Sequence, residues 1–220
     1  MYHSIYYLVS GPLAWASILV FIFGALFRVG TMMLLARKRD NMVYEYMSVR
    51  YGARSILHWL TPLGTAGMKA RPATTMVSFL FHFCLIAAPV FVLAHVVLVT
   101  DSVDIGWLHI PDGAADFMAL LVIFACVFFL VRRLTTPEVR GLSTWRDYSV
   151  LALVAAPFLT GFWAFHQLPG FRAAGILHML AGEALLAAIP FTRLSHMLFF
   201  PFTRAYMGSE FGAVRHAKDW

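Results

Sequence analysis

Five stretches of this chain are apolar for long enough to cross a bilayer, and no other feature limits its fold more. A spanning helix needs about 20 apolar residues. The runs cover roughly 5–35, 74–99, 115–131, 148–165 and 173–200, with Arg28 interrupting the first near its end. Hydrocarbon offers the backbone no hydrogen bonds, so each run is expected to be a helix. The runs and their connections fill 220 residues and predict a single membrane domain, 1–220, with no room for a separate soluble one.

The charge content agrees. Hydrophobic residues make up 60% of the chain and charged residues 13%, against about 45–50% and about 25% in a soluble domain. Mean hydropathy is +0.74. So few charges cannot cover a globule in water, which argues against a soluble enzyme, a disordered chain and a nucleic-acid binder. The formal charge of +6 is the kind of excess that membrane proteins carry in their loops, and no nucleic-acid partner is expected. Cys84 and Cys126 lie inside apolar runs and form no CxxC, CxxCH, zinc or iron–sulfur spacing. Covalent c-type haem and iron–sulfur clusters in this chain are therefore set aside, and the two cysteines read as apolar fillers.

The basic residues are sided. Arg37, Lys38, Arg39, Arg50, Arg54, Lys69 and Arg71 follow the first run; Arg132, Arg133, Arg140 and Arg146 follow the third; Arg204, Arg215 and Lys218 follow the fifth. Arg28 and Arg193 sit near the same side, leaving only Arg172 opposite, where the loop 100–116 carries Asp101, Asp104, Asp112 and Asp116. The positive-inside rule then predicts an all-α bundle of five transmembrane helices, N-terminus outside and C-terminus cytoplasmic. MYHSIYY lacks a basic n-region and no small-residue cleavage site follows, so a removed signal peptide is not expected. Tyr2, Tyr6, Tyr7, Trp107, Trp145 and Trp163 fall near run ends and read as interface anchors. The cytoplasmic loop 36–73 mixes Tyr44, Tyr46, Tyr51, Ile56, Leu57, Trp59 and Leu60 with basic residues. It either lies on the membrane as an amphipathic helix or docks a cytoplasmic partner.

Four of nine histidines lie inside runs: His82, His95, His178 and His196. Ionisable groups at that depth are costly and mark function. On a continuous helix His178 and His196, 18 residues apart, complete about five turns and face one way, about 27 Å apart. The second run goes in the opposite direction. Antiparallel pairing matches His82 with His196, and His95 with His178. Each pair can supply both axial ligands of one haem b, and two haems across a bilayer form an electron path. A bare metal would want a third or fourth ligand, for which Glu183 is the one candidate. His82 and His95 stand about 220° apart around a straight helix, so Pro89 between them is expected to kink or unwind the run and re-aim one of them. Gly182 offers room for a haem plane near the backbone.

On these residues the chain resembles the gamma subunit of respiratory nitrate reductases, a five-span dihaem cytochrome b family. The resemblance runs from about Thr74 to Pro201. It is strongest in HMLAGEALLAAIPFTRLSHM at His178–Met197 and RRLTTPEVRG at Arg132–Gly141. SFLFH at Ser78–His82 with His95, and HWLTPLG at His58–Gly64, look closer to the cytochrome b subunits of transmembrane redox complexes in sulfate-reducing bacteria. The family's second helix carries its ligands closer together than His82 and His95 stand here, and His166 is the fallback ligand. The resemblance implies two haem b, with iron axial ligands His82 and His196 on the cytoplasmic side and His95 and His178 on the outer side. It also implies a quinone site, for menaquinone, beside the outer haem. Its implied partners are a periplasmic multihaem cytochrome c, a cytoplasmic iron–sulfur subunit and other membrane subunits, all at a bacterial cytoplasmic (inner) membrane and in contact with membrane lipid.

A quinone site needs a group that exchanges a proton with the ring oxygen. Candidates are Glu183, His109 and Asp112, with Asp116 near Trp107. Arg132, Arg133, Arg140 and Arg193 are candidates for the anionic haem propionates. The function expected is an electron-transfer subunit of an oxidoreductase complex. A stand-alone transmembrane cytochrome b reductase and a haem-free membrane anchor remain the alternatives.

Overall fold

A computed structural model describes residues 2–40, 42 and 44–220. The side chain of Tyr2, one of the expected anchors, lies outside the described residues. Among the described residues the chain is helical, with one isolated parallel bridge between Val92 and Ile110. Five helices are long and apolar enough to cross a membrane. They are α1 (His3–Arg39), α4 (Pro72–Phe91), α6 (Asp112–Thr135), α8 (Trp145–Phe165) and the segment Phe171–Phe191, of which Phe171–Ala188 is α9. Shorter helices join them: α2 (Val49–Trp59), α3 (Ala66–Ala70), α5 (Leu93–Val103), α7 (Pro137–Leu142) and α10 (His196–Ser209).

The chain divides into two compact units, one of residues 1–11 and 77–185 and the other of 12–76 and 186–220. In the first, α6 packs on α8. Val122, Ala125 and Cys126 recur at helical spacing and are buried, as are Val154 and Phe158 on α8. Small side chains let membrane helices approach closely where lipid gives no hydrophobic drive. The outward residues of α6 are large and apolar, with Phe117 at 66% and Phe124 at 62% exposure, which suits a lipid solvent. Asp147 caps α8: its Oδ2 accepts from the Thr144 backbone N–H at 2.8 Å and hydroxyl at 2.9 Å. Arg133 lies 3.9 Å from Asp147 Oδ1, so the charge of this buried acid is matched.

The second unit takes in α1 from Pro12 onward. Pro12 lacks a backbone donor and its ring crowds the preceding turn. The helix absorbs it as a π turn at Val9–Leu13. Further along, Gly24 leaves room for Pro190, whose Cγ would lie 2.9 Å from any Cβ at that position. Arg28 interrupts the apolar run and lies 5.4 Å from the centroid of the Phe199 ring, a cation–π contact that offsets part of its desolvation.

Two apolar runs depart from the expected continuous helices. The run 74–99 stops at Phe91 and resumes at Leu93. The run 173–200 gives way to two 3-10 turns, Ile189–Phe191 and Arg193–Ser195, separated by an extended Thr192 at φ −119°, ψ −173°. Pro190 cannot continue the hydrogen-bond ladder, and the Thr192 hydroxyl donates to the Ala188 carbonyl at 2.8 Å. The expected shared face of His178 and His196 on one helix is therefore corrected: His178 is on α9 and His196 opens α10.

Candidate functional site

The break at Val92 builds much of the site. Val92 is extended, at φ −66° and ψ 130°. The three carbonyls before it lose their helical partners and find others. Pro89 O accepts from His95 Nδ1 at 2.8 Å. Val90 O accepts from Trp107 Nε1 at 2.7 Å. Phe91 O accepts from the Ile110 N–H at 2.9 Å. Orphaned backbone acceptors must be satisfied, and here one of the replacement donors is a histidine. Trp107, read as an interface anchor, also holds the broken helix end.

His95 is thereby aimed at α9, where its ring stands beside that of His178. The centroids are 5.8 Å apart and the planes 17° from parallel. His178 is held as His95 is: its Nδ1–H donates to the Pro157 carbonyl on α8 at 2.8 Å. Gly161, one turn on from Pro157, lets the ring in. A Cβ there would stand 2.8 Å from His178 Nδ1. The sequence reading identified both histidines but missed Pro157 and Gly161. Their signal is a proline and a glycine four residues apart, on one helical face.

The other two candidates make the same local bond. His82 Nδ1 donates to Ser78 O at 2.7 Å and His196 Nδ1 to Arg193 O at 2.8 Å. A carbonyl only accepts, so Nδ1 carries a proton in all four rings, and in the neutral ring the lone pair is then on Nε2. That tautomer and that orienting bond are what a metal-ligating histidine needs. His82 is exposed, in the first unit; His196 is in the second. His196 lines an open cavity of about 420 Å³ together with Arg193, Ser195, Phe199, Thr203 and Arg204.

The donor set can be tested against haem. A metal–imidazole bond of about 2.0–2.1 Å places the centroids of two rings sharing one metal about 6 Å apart, close to the 5.8 Å between His95 and His178. Among the described residues no three or more His, Cys, Asp or Glu side chains converge on one point. A porphyrin would add four nitrogens to a metal held by two imidazoles. The residues fit haem.

The remaining candidates lie apart. His166, the fallback ligand, is engaged with Asp116, Nε2 to Oδ1 at 3.1 Å. His109 and Asp112 are exposed, Asp112 in the first turn of α6. Glu183 is half-buried, and its Oε2 is buried without a hydrogen-bond partner among the described residues. Nothing stands within 4 Å of a Cβ placed at Gly182. Arg133 is committed to Asp147 and to Ser143 Oγ, 3.0 Å away. Cys84 and Cys126 are buried free thiols, in keeping with apolar filling.

Fold and site define an all-helical, multi-pass membrane protein with orientation-locked histidines. The chain is 34% identical over 214 residues to a protein of Nitratidesulfovibrio vulgaris Hildenborough described simply as "Protein", covering 96% of this chain and 95% of that one. It belongs to the same family as that protein. No protein-family model matches the chain, and no solved structure matches it.

Proposed function

We propose that the chain is a dihaem cytochrome b subunit of a membrane redox complex, similar to the nitrate reductase gamma subunits and the cytochrome b subunits of sulfate reducers. The observation that carries this reading is the His95–His178 pair, near-parallel at 5.8 Å with each Nδ1 spent on a backbone carbonyl. Haem b, when bound, supplies one-electron transfer. The protein's part is to hold and tune. His95 and His178 would hold one haem, and the Pro89 and Pro157 carbonyls fix the rings and raise their basicity. His82 and His196 take the same role for the second haem on the sequence pairing, and Arg193, which lines the same cavity as His196, offers charge for a propionate.

The lysine and arginine asymmetry supports an outer N-terminus and a cytoplasmic C-terminus, and the resemblance implies a bacterial cytoplasmic membrane. Electrons would pass between a menaquinone pool or a periplasmic multihaem cytochrome c and a cytoplasmic iron–sulfur subunit. Glu183 is the favoured proton-exchanging group for a quinone, because its buried Oε2 has no hydrogen-bond partner among the described residues. His109 and Asp112 are exposed and suit a docking surface better.

The test is a pair of variants and their combination. His95→Ala and His178→Ala should each remove the same haem and leave the other, and the double variant should lose no more than either. Unchanged haem content in both single variants, with the fold intact by circular dichroism, would refute the assignment.

A further inference from the structure

The helix α2 has three faces, and one of them is left exposed: Arg54, on the second, donates to the Ala217 carbonyl at 3.1 Å and lies over Trp220. At about 100° per residue, Tyr51, Gly52, Ser55 and Trp59 share one side. That side meets α10 closely: a Cβ at Gly52 would lie 3.1 Å from Ala205 Cβ, and one at Gly208 would lie 2.5 Å from Ser55 Cβ. Arg50 and Arg54 form a second face. The third is apolar and turned away from the protein. Val49 is 90% exposed, Leu57 66% and Leu60 55%, with Ala53 exposed between them. This apolar arc spans about 100° of the helix surface, as wide as the stripe that a surface helix normally buries.

The depth of α2 identifies what covers that arc. Helix α10 runs beside the late part of α1: Phe199 meets Arg28, and the Tyr206 hydroxyl donates to Asp40 Oδ2 at 3.3 Å. Asp40 directly follows Arg37, Lys38 and Arg39, the basic cluster that closes the α1 apolar run. Helix α2 crosses α10 at Ala205–Ser209, and the Ser48 N–H donates to Ser209 Oγ at 3.0 Å. It therefore sits at the level where α1 leaves the hydrocarbon. The side chain that flanks the apolar arc, Arg50, is exposed.

We propose that α2 lies in the bilayer interface on the basic side of the protein. Val49, Ala53, Leu57 and Leu60 enter the acyl boundary, and Arg50 meets anionic lipid headgroups. Apolar burial and headgroup charge together hold such helices. The face that packs on α10 makes the helix a fixed collar, docked on protein on one side and on lipid on the other.

Single cysteines at Val49, Leu57 and, as a water-facing reference, exposed Glu45 can carry a bimane label in the full chain. The host is a vesicle of phosphatidylcholine and phosphatidylglycerol. Cys84 and Cys126 are buried and leave the unsubstituted chain as the blank. Brominated acyl chains should quench the labels at Val49→Cys and Leu57→Cys several-fold more than that at Glu45→Cys, and iodide should do the reverse. Iodide quenching at Val49 and Leu57 equal to that at Glu45 would overturn the proposal. So would protection of both sites from both quenchers, because a protein partner would then cover the face.

Discussion

Replacing Gly161 with alanine puts a methyl group where the His178 ring stands. The new Cβ would lie 2.8 Å from Nδ1 and 2.9 Å from Cε1, inside the roughly 3.5–4.0 Å at which such atoms attract. Two effects oppose each other. Alanine favours a helix interior over glycine by about 0.5–1 kcal/mol. Against this, the ring must move by most of an ångström and leave the Pro157 carbonyl, whose bond is 2.8 Å. A buried bond lost on one side costs about 1–3 kcal/mol. The balance lies about 0–2.5 kcal/mol against the variant, up to roughly a 70-fold weakening of whatever His178 ligates. The assay is the pyridine haemochrome count and reduced spectrum of purified Gly161→Ala against the unsubstituted chain, with helix content by circular dichroism as control. The expected result is full helicity, depletion of one haem and retention of the other. Full occupancy with an unaltered spectrum would refute the claim that Gly161 makes room for a ligating ring.

Gly208→Ala should loosen the second unit, because its Cβ would fall 2.5 Å from Ser55 Cβ and 2.6 Å from the Tyr51 carbonyl oxygen. Overpacking of this kind costs about 1–3 kcal/mol, and limited proteolysis should cut the segment 40–71 faster than in the unsubstituted chain. Trp107→Phe removes the donor to Val90 O and leaves a carbonyl at the helix break without that partner. A loss of about 0.5–1.5 kcal/mol is expected, read as a lower melting temperature; an unchanged melt would show that the bond does not hold the break.

The five spans were legible in the sequence because apolar length is a one-dimensional property and lipid gives the backbone no choice but helix. The histidines were legible for the complementary reason, since ionisable side chains stand out in apolar runs. Matching depths on antiparallel runs also paired His95 with His178, whose rings do meet. The breaks were only half legible. Pro89 and Pro190 marked the neighbourhoods, but the first break falls at Val92, where donors from Trp107 and Ile110 replace the lost helical bonds. Those donors come from a loop distant in sequence, so local propensity does not announce them. The same holds for Thr192, which ends the helical path from His178 to His196. Gly161 and Pro157 escaped because a lone glycine and proline in an apolar run look like ordinary packing until a ring is seen against them.

The central claim is that the locked histidines hold haem. A pyridine haemochrome assay and a reduced-minus-oxidised spectrum of the purified, folded chain test it most directly. The account predicts two haem b per chain and b-type α-band absorbance; a fully helical preparation without that absorbance would contradict it.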